Sequence, residues 1–175
     1  MAVREMRVRR GVDEDTVRFF VWSVWSFFQS STKQEPEVGT PYLFETFEHD
    51  DYTGIIAMLG ARKGTVHFTM SREMVDAILQ RQGAAQSDRI EDDEQLEERR
   101  KDYMRVMTKI VASNVRNYLC EPFLVSVPVV ATVKGEKLRR PKASHGIIFP
   151  VNWAGYRSHL VLSLGGDLVE NGGGK

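Results

Sequence analysis

The sequence predicts an α+β domain in which antiparallel β-sheet is layered with helices, in the order α-βββ-αα-βββ. Three observations carry this prediction. Six segments of strand length are apolar or alternate in polarity, and three others repeat their apolar residues at helical spacing. No helix separates the strands inside either triplet, so successive strands return by short turns and pair antiparallel. At 175 residues, 42% apolar and 27% charged, the chain is sized to bury the core of one such domain rather than two.

Residues 1–12 are basic and without a clear period, and they are expected to form an arm ahead of a single domain spanning 13–165. Asp13, Glu14 and Asp15 place negative charge where a helix would begin. Val17, Phe20, Val21, Val24, Phe27 and Phe28 then keep helical spacing to about residue 29. Phe19 and Trp22 occupy a second ridge, with Trp25 between the two. A helix buried on most sides accounts for them; the sharper alternative is a partner-facing patch, with Phe19 and Trp22 as self-association residues.

SSTKQEPEVGTP reads as a loop, and YLFETFEH, TGIIAMLG and GTVHFTMS as three strands, with ARKG as the turn of the second hairpin. Ser71 is placed to cap the helix SREMVDAILQRQ, which Gly83 ends. After the loop AAQSDR, acids lead and bases follow through EDDEQLEERRKD into DYMRVMTKIVASNVRNYL, one helix over about 92–119. Its core stripe is Met104, Met107, Val111, Val115 and Tyr118. FLVSVPVVATV, SHGIIFPV and YRSHLVLSL supply the second triplet, with Pro128 marking an edge or a bulge. The basic segment KGEKLRRPK joins the first pair, and residues 166–175 read as a flexible tail. The two triplets hint at an internal repeat.

Twenty-four basic residues balance twenty-four acidic ones, so nothing at chain level favours nucleic acid or an anionic membrane. The lone Cys120 has no intrachain partner, and no segment has the length of a membrane span. A cytoplasmic protein is expected. His49, His67, His145 and His159 are scattered in sequence, none at metal-ligand spacing with another, and no metal or cofactor is expected. His49, Asp50 and Asp51 form either a divalent-ion loop or, more commonly, an acidic hairpin. Gly60 and Gly64 precede a strand rather than a helix, which is wrong for a phosphate cradle. Cys120 lacks a placed base, and KGEKLRRPK reads as a solvated loop or a contact for an acidic partner. Asp102, Val106, Lys109, Ser113 and Arg116 step by four, three, four and three, so they share one helix face.

Two blocks resemble the CheC, CheX and FliY group of chemotaxis phosphatases. DYTGIIAMLGARKGTVHFTMS is similar to that family's Gly-Ile-Ile strand, Gly-bounded turn and Gly-x-Val strand. DYMRVMTKIVASNVRNYL with FLVSVPVVATV is similar to its signature helix and following Ser-x-Pro-x-Val-Val strand. The resemblance implies a CheC-like fold and hydrolysis of the aspartyl phosphate of a response-regulator receiver, which itself supplies the metal. In the family, the helix carries Asp-x-x-Gly-Glu-x-x-Asn, where the glutamate grips the receiver and the asparagine orients the attacking water. In the register set by Asp102, Val106 stands at the glutamate position and Lys109 at the asparagine position, with Arg105 in place of the glycine. Lysine only donates and valine carries no charge, so the standard chemistry is absent. The expectation is a domain that binds a receiver through Asp102, Val106, Lys109, Ser113 and Arg116, or another copy of itself through Phe19 and Trp22 or the edge strand near Pro128, with no catalytic residue; the alternative is a phosphatase using other residues.

Overall fold

The computed structural model describes residues 14–60, 63–83, 92–118, 123–140 and 144–165. Helix α1 (Glu14–Thr32) opens on Glu14 and Asp15, which complement its N-terminal dipole, and buries Phe20, Val24, Phe27 and Phe28. Five strands follow: β1 (Glu37–Val38), β2 (Tyr42–Leu43), β3 (Thr46–Glu48), β4 (Tyr52–Gly60) and β5 (Lys63–Met70). Helix α2 (Arg72–Arg81) is capped by Ser71, whose hydroxyl accepts from the Met74 amide, and is followed by Gly83 at φ +76°. Helix α3 (Asp93–Tyr118) leads into β6 (Phe123–Val125), β7 (Val129–Ala131), β8 (Lys137–Arg139), β9 (Ser144–Trp153) and β10 (Tyr156–Gly165). The expected basic arm, Ala61 and Arg62 of the ARKG turn, the AAQSDR loop, Cys120 and the tail lie outside the described residues, as does the side chain of Tyr118.

All strand pairs are antiparallel, as the uninterrupted triplets predict. Hairpins β4–β5 and β9–β10 join through β5–β10, while β1 and β2 lie along β9, and β6 and β7 along β4. This arrangement is a pseudo-two-fold repeat that holds residue by residue. Val38 faces Val151 as Val125 faces Met58, and Tyr42 faces Ile148 as Val129 faces Ile55. The hairpins agree too, since Ile56 faces Val66 as Phe149 faces Leu160. The axis runs through the His67–Val161 pair and through Phe47–Leu138, where β3 pairs with β8 in a separate ribbon.

One face of the large sheet carries Ile56, Val66, Phe68, Met70, Phe149, Leu160 and Leu162 into a core with all three helices. Helix α1 runs antiparallel to α3, because Ser23 Oγ donates to the Val111 carbonyl at 2.9 Å while Phe27 meets Tyr103 farther back. The expected stripe of Met104, Met107, Val111 and Val115 is fully buried. The opposite face holds a smaller cluster of Phe44, Phe47, Ile148 and Val161, covered by the β3–β8 ribbon.

Three expectations change at the level of single strands. YLFETFEH is not one strand: β2 joins the large sheet and β3 the ribbon, because Phe44 between them turns in over Gly146. A Cβ on Gly146 would lie 2.5 Å from the Phe44 ring, so the break depends on that glycine. KGEKLRRPK is not only a connection, since Lys137–Arg139 within it is β8, placing Lys137 opposite Glu48. FLVSVPVVATV divides at Pro128 into β6 and β7 on the sheet edge, consistent with a proline that cannot donate.

The seat of α3 is set by Gly54 on β4. A Cβ there would lie 2.0 Å from Thr108 Oγ1 and 3.0 Å from the Met104 carbonyl oxygen, so helix and strand approach within a distance only hydrogen permits. Gly54→Ala is therefore expected to lower unfolding free energy by about 1–3 kcal/mol, seen as a lower urea midpoint with unchanged slope. Adding Thr108→Ala should recover part of the loss. An unchanged midpoint in the single variant would show that α3 lifts off the sheet without cost.

Candidate functional site

Because Met104, Met107, Val111 and Val115 face the sheet, the opposite face of α3 must turn outward. Asp102, Val106, Lys109 and Arg116 are exposed and Ser113 is half-buried, so the predicted ridge exists as one continuous line. Val106 is 54% exposed, with Ile110 at 37% beside it, giving the ridge an apolar strip that sequence reading only half identified. Helical spacing from Tyr103 and Met107 could have shown that Ile110 falls at the rim of the buried stripe.

The charges along the ridge differ in how they are held. Asp102 accepts from the Arg105 guanidinium one turn on, and Arg105 also lies 3.9 Å from Glu98. Among the described residues no carboxylate pairs with Lys109. The ridge thus offers one ammonium beside exposed valine and isoleucine. It has no carboxylate or amide at the two positions where the resemblance places glutamate and asparagine. Asn114 is half-buried on the stripe of Tyr103 and Met107, off the ridge.

The repeat connects the two surfaces singled out in the sequence. Carried back from β1/β6 and β2/β7 into the helices, the same correspondence matches buried Phe20, Val24 and Phe28 with buried Met107, Val111 and Val115. Asp15 then matches Asp102, Phe19 matches Val106, Trp22 matches Lys109 and Ser26 matches Ser113. Phe19 is half-buried and packs against the core, while Trp22 is 39% exposed. The Phe19–Trp22 patch is the α1 version of the α3 ridge.

A polar clamp sets the N-terminal half of α3. Arg100 donates to both Asp76 oxygens of α2, at 2.7 and 2.8 Å, and to Glu97 at 3.4 Å; Tyr52 of β4 donates to the same Glu97 oxygen at 2.5 Å. Asp76 raises the Arg100 pKa, while burial together with Glu97 pushes the Tyr52 phenol up to about 12. Arg100 therefore stays charged and the Tyr52 phenol stays protonated throughout the neutral range.

The other candidates separate. Asp51 accepts from the Arg72 amide and pairs with Lys134 at 3.0 Å, while His49 Nδ1 lies 2.9 Å from Thr53 Oγ1. Among the described residues, no group of three or more His, Cys, Asp or Glu is placed to hold a metal ion. The histidines are not scattered in space: His49, His67 and His159 meet on the ribbon side of the sheet. Among the described residues, no helix is long and apolar enough to cross a membrane.

The fold and ridge define a class of two-fold repeated α+β domains presenting a long helix outward. The sequence matches the family described as Chemotaxis phosphatase CheX over residues 52–152, from β4 into β9 and including all of α3, and the chain belongs to that family. Solved structures with this fold include a CheC-like superfamily protein from Shewanella sp. PV-4, with TM-score 0.76 at 20% identity over 89% of this chain and 100% of that one. The chemotaxis protein CheX from Vibrio vulnificus gives 0.72 at 20% identity over 86% and 99%. A CheX–CheY–BeF3–Mg2+ complex from Borrelia burgdorferi gives 0.70 at 20% identity over 87% and 99%. No curated protein matches the sequence.

Asp76→Ala would leave a 9%-exposed arginine without its bidentate partner. It is expected to cost about 2 kcal/mol, measured by denaturant unfolding, and to loosen amide protection in the first half of α3. A loss below about 0.5 kcal/mol would place the clamp among ordinary surface pairs.

Proposed function

We propose that this chain is a chemotaxis signalling protein that docks on the receiver domain of a response regulator through the α3 ridge and does not hydrolyse its phosphoryl group. The observation that carries this reading is the exposure of Val106 and Lys109, which the sequence resemblance registers with the family's glutamate and asparagine. An ammonium has three donors and no acceptor, so Lys109 can pair with an acidic receiver pocket but cannot hold a water by donating and accepting at once. Val106 and Ile110 supply apolar contact beside it. The Borrelia relative was crystallised with CheY, which supports a receiver as the partner class.

A second reading, self-association, is favoured by the sheet edge. Leu124, Val127 and Val129 are 67%, 83% and 61% exposed on or between β6 and β7, apolar side chains on strands that, among the described residues, pair on one side only. Phe19 and Trp22 are the other candidate contact for a second copy.

Receivers from the same cell, phosphorylated and not, should be titrated with the protein while phosphoryl loss is followed in parallel. Binding without faster phosphoryl loss is expected, and Lys109→Ala should weaken it about tenfold, the worth of one charge-assisted hydrogen bond. Equal binding by Lys109→Ala would overturn the role of this residue, and faster phosphoryl loss would establish a phosphatase using other groups. Introducing Val106→Glu with Lys109→Asn is expected to create the missing acceleration. Light scattering should show a concentration-dependent dimer that Val127→Lys abolishes; a strict monomer would remove the second reading.

A further inference from the structure

Beneath the β3–β8 ribbon, on the axis of the repeat, lies a group of polar side chains that the docking face does not use. Phe47 of β3 meets the His49 ring and the His159 ring, each with centroids 5.7 Å away, and His49 meets His67 at 6.0 Å. His49 and His67 are buried, and His159 is half-buried. The hydrogen bonds around them are saturated in one direction. The Asp50 amide and the Thr53 hydroxyl both donate to Thr69 Oγ1, at 2.8 and 3.1 Å, so Thr53 Oγ1 is left to accept from His49 Nδ1–H at 2.9 Å. His67 Nε2 lies 3.1 Å from Thr65 Oγ1. Among the described residues, the buried Nδ1 atoms of His67 and His159 have no hydrogen-bond partner.

The ribbon is tied to this group by backbone. His49 N–H donates to the Glu136 carbonyl and Gly135 N–H to the His49 carbonyl, both at 2.9 Å, so His49 cannot move without the turn ahead of β8. Charge reaches the three rings unevenly. Glu136, from the β7–β8 turn, and Asp50 act on His49; Asp50 and Arg157 act on His159. Asp50 is itself flanked by Glu48, Asp51 and Lys134. Among the described residues no carboxylate acts on His67, and the charged neighbour that does is His49. A proton taken by His49 therefore repels one arriving at His67, and a proton on His67 Nδ1 creates a buried donor with nothing to receive it.

We infer that the β3–β8 ribbon is an acid-released latch: protonation of His49, His67 and His159 lifts it from the sheet and uncovers Phe44, Phe47, Ile148 and Val161. The direction follows from linkage. Burial lowers the pKa of all three rings, His67 to about 4, so the closed state binds fewer protons than the open one between that value and the ordinary 6.5. Closure is fully favoured above 6.5 and is lost as pH falls, by up to about tenfold per pH unit for each ring.

Hydrogen exchange of the full chain at pH 7.5 and 5.0, corrected for intrinsic rates, tests this. Amides of residues 46–48 and 135–139 should open about tenfold or more often at pH 5.0, while central β5 and β10 amides stay protected. The double variant His49→Gln, His67→Gln should retain less than about a third of that effect. Equal ribbon protection at both pH values would overturn the inference, as would loss of protection across the whole sheet together. NMR titration of the wild-type ring Cε1 protons gives a reading that needs no variant. His67 should stay neutral to below pH 5 wherever the ribbon is closed, and an ordinary titration near 6.5 in the closed state would refute the latch.

Discussion

Because β1 and β2 lie against β9 while β6 and β7 lie against β4, neither half of the chain can complete its own sheet. Each hairpin takes its edge from the other half, and β5–β10 closes the exchange along eight residue pairs. The central strands carry Val66, Phe68, Met70, Leu160 and Leu162 fully into the helical face, each burial worth about 1.5–3 kcal/mol. That shared sheet fixes where α1 and α3 lie, and the Gly54 contact fixes how close α3 comes. The outward ridge is therefore a product of the whole exchange rather than of the helix alone.

Local pattern made the helices and long strands legible. Apolar spacing located α1 and α3 to within a few residues, and Ser71 and Gly83 marked α2. What escaped was decided by partners far away in sequence. YLFETFEH alternates like one strand, and only the absence of a side chain at Gly146 lets Phe44 turn in and divide it. The histidine group was invisible for a related reason, since His49, His67 and His159 meet only once the registers of β3, β5 and β10 are known. The ridge on α3 was legible because a helix face needs no partner to be defined. Its identity with the α1 patch was not, because that equivalence is written in strand register.

Family membership and residue chemistry bear on different links of the argument. The first accounts for the fold and for an outward signature helix; the second concerns what such a helix can do. Positions of one type hold Phe19 and Trp22 on α1 and Val106 and Lys109 on α3, so one scaffold displays an aromatic face and an apolar-cationic one. Neither set contains a group that both donates and accepts at neutral pH in the way a side-chain amide does.

The exchange of edge strands also sets when the protein can fold. A chain leaving the ribosome has α1 through β5 in hand long before β9 and β10 exist, yet β1 and β2 have nothing to pair with until residues from Ile147 to Asn152 emerge. Contacts of such long sequence separation slow folding, and an early half-sheet with an open edge is prone to pair with its neighbours. The repeat that gives the native state its balance thus leaves the nascent first half as its most aggregation-exposed form.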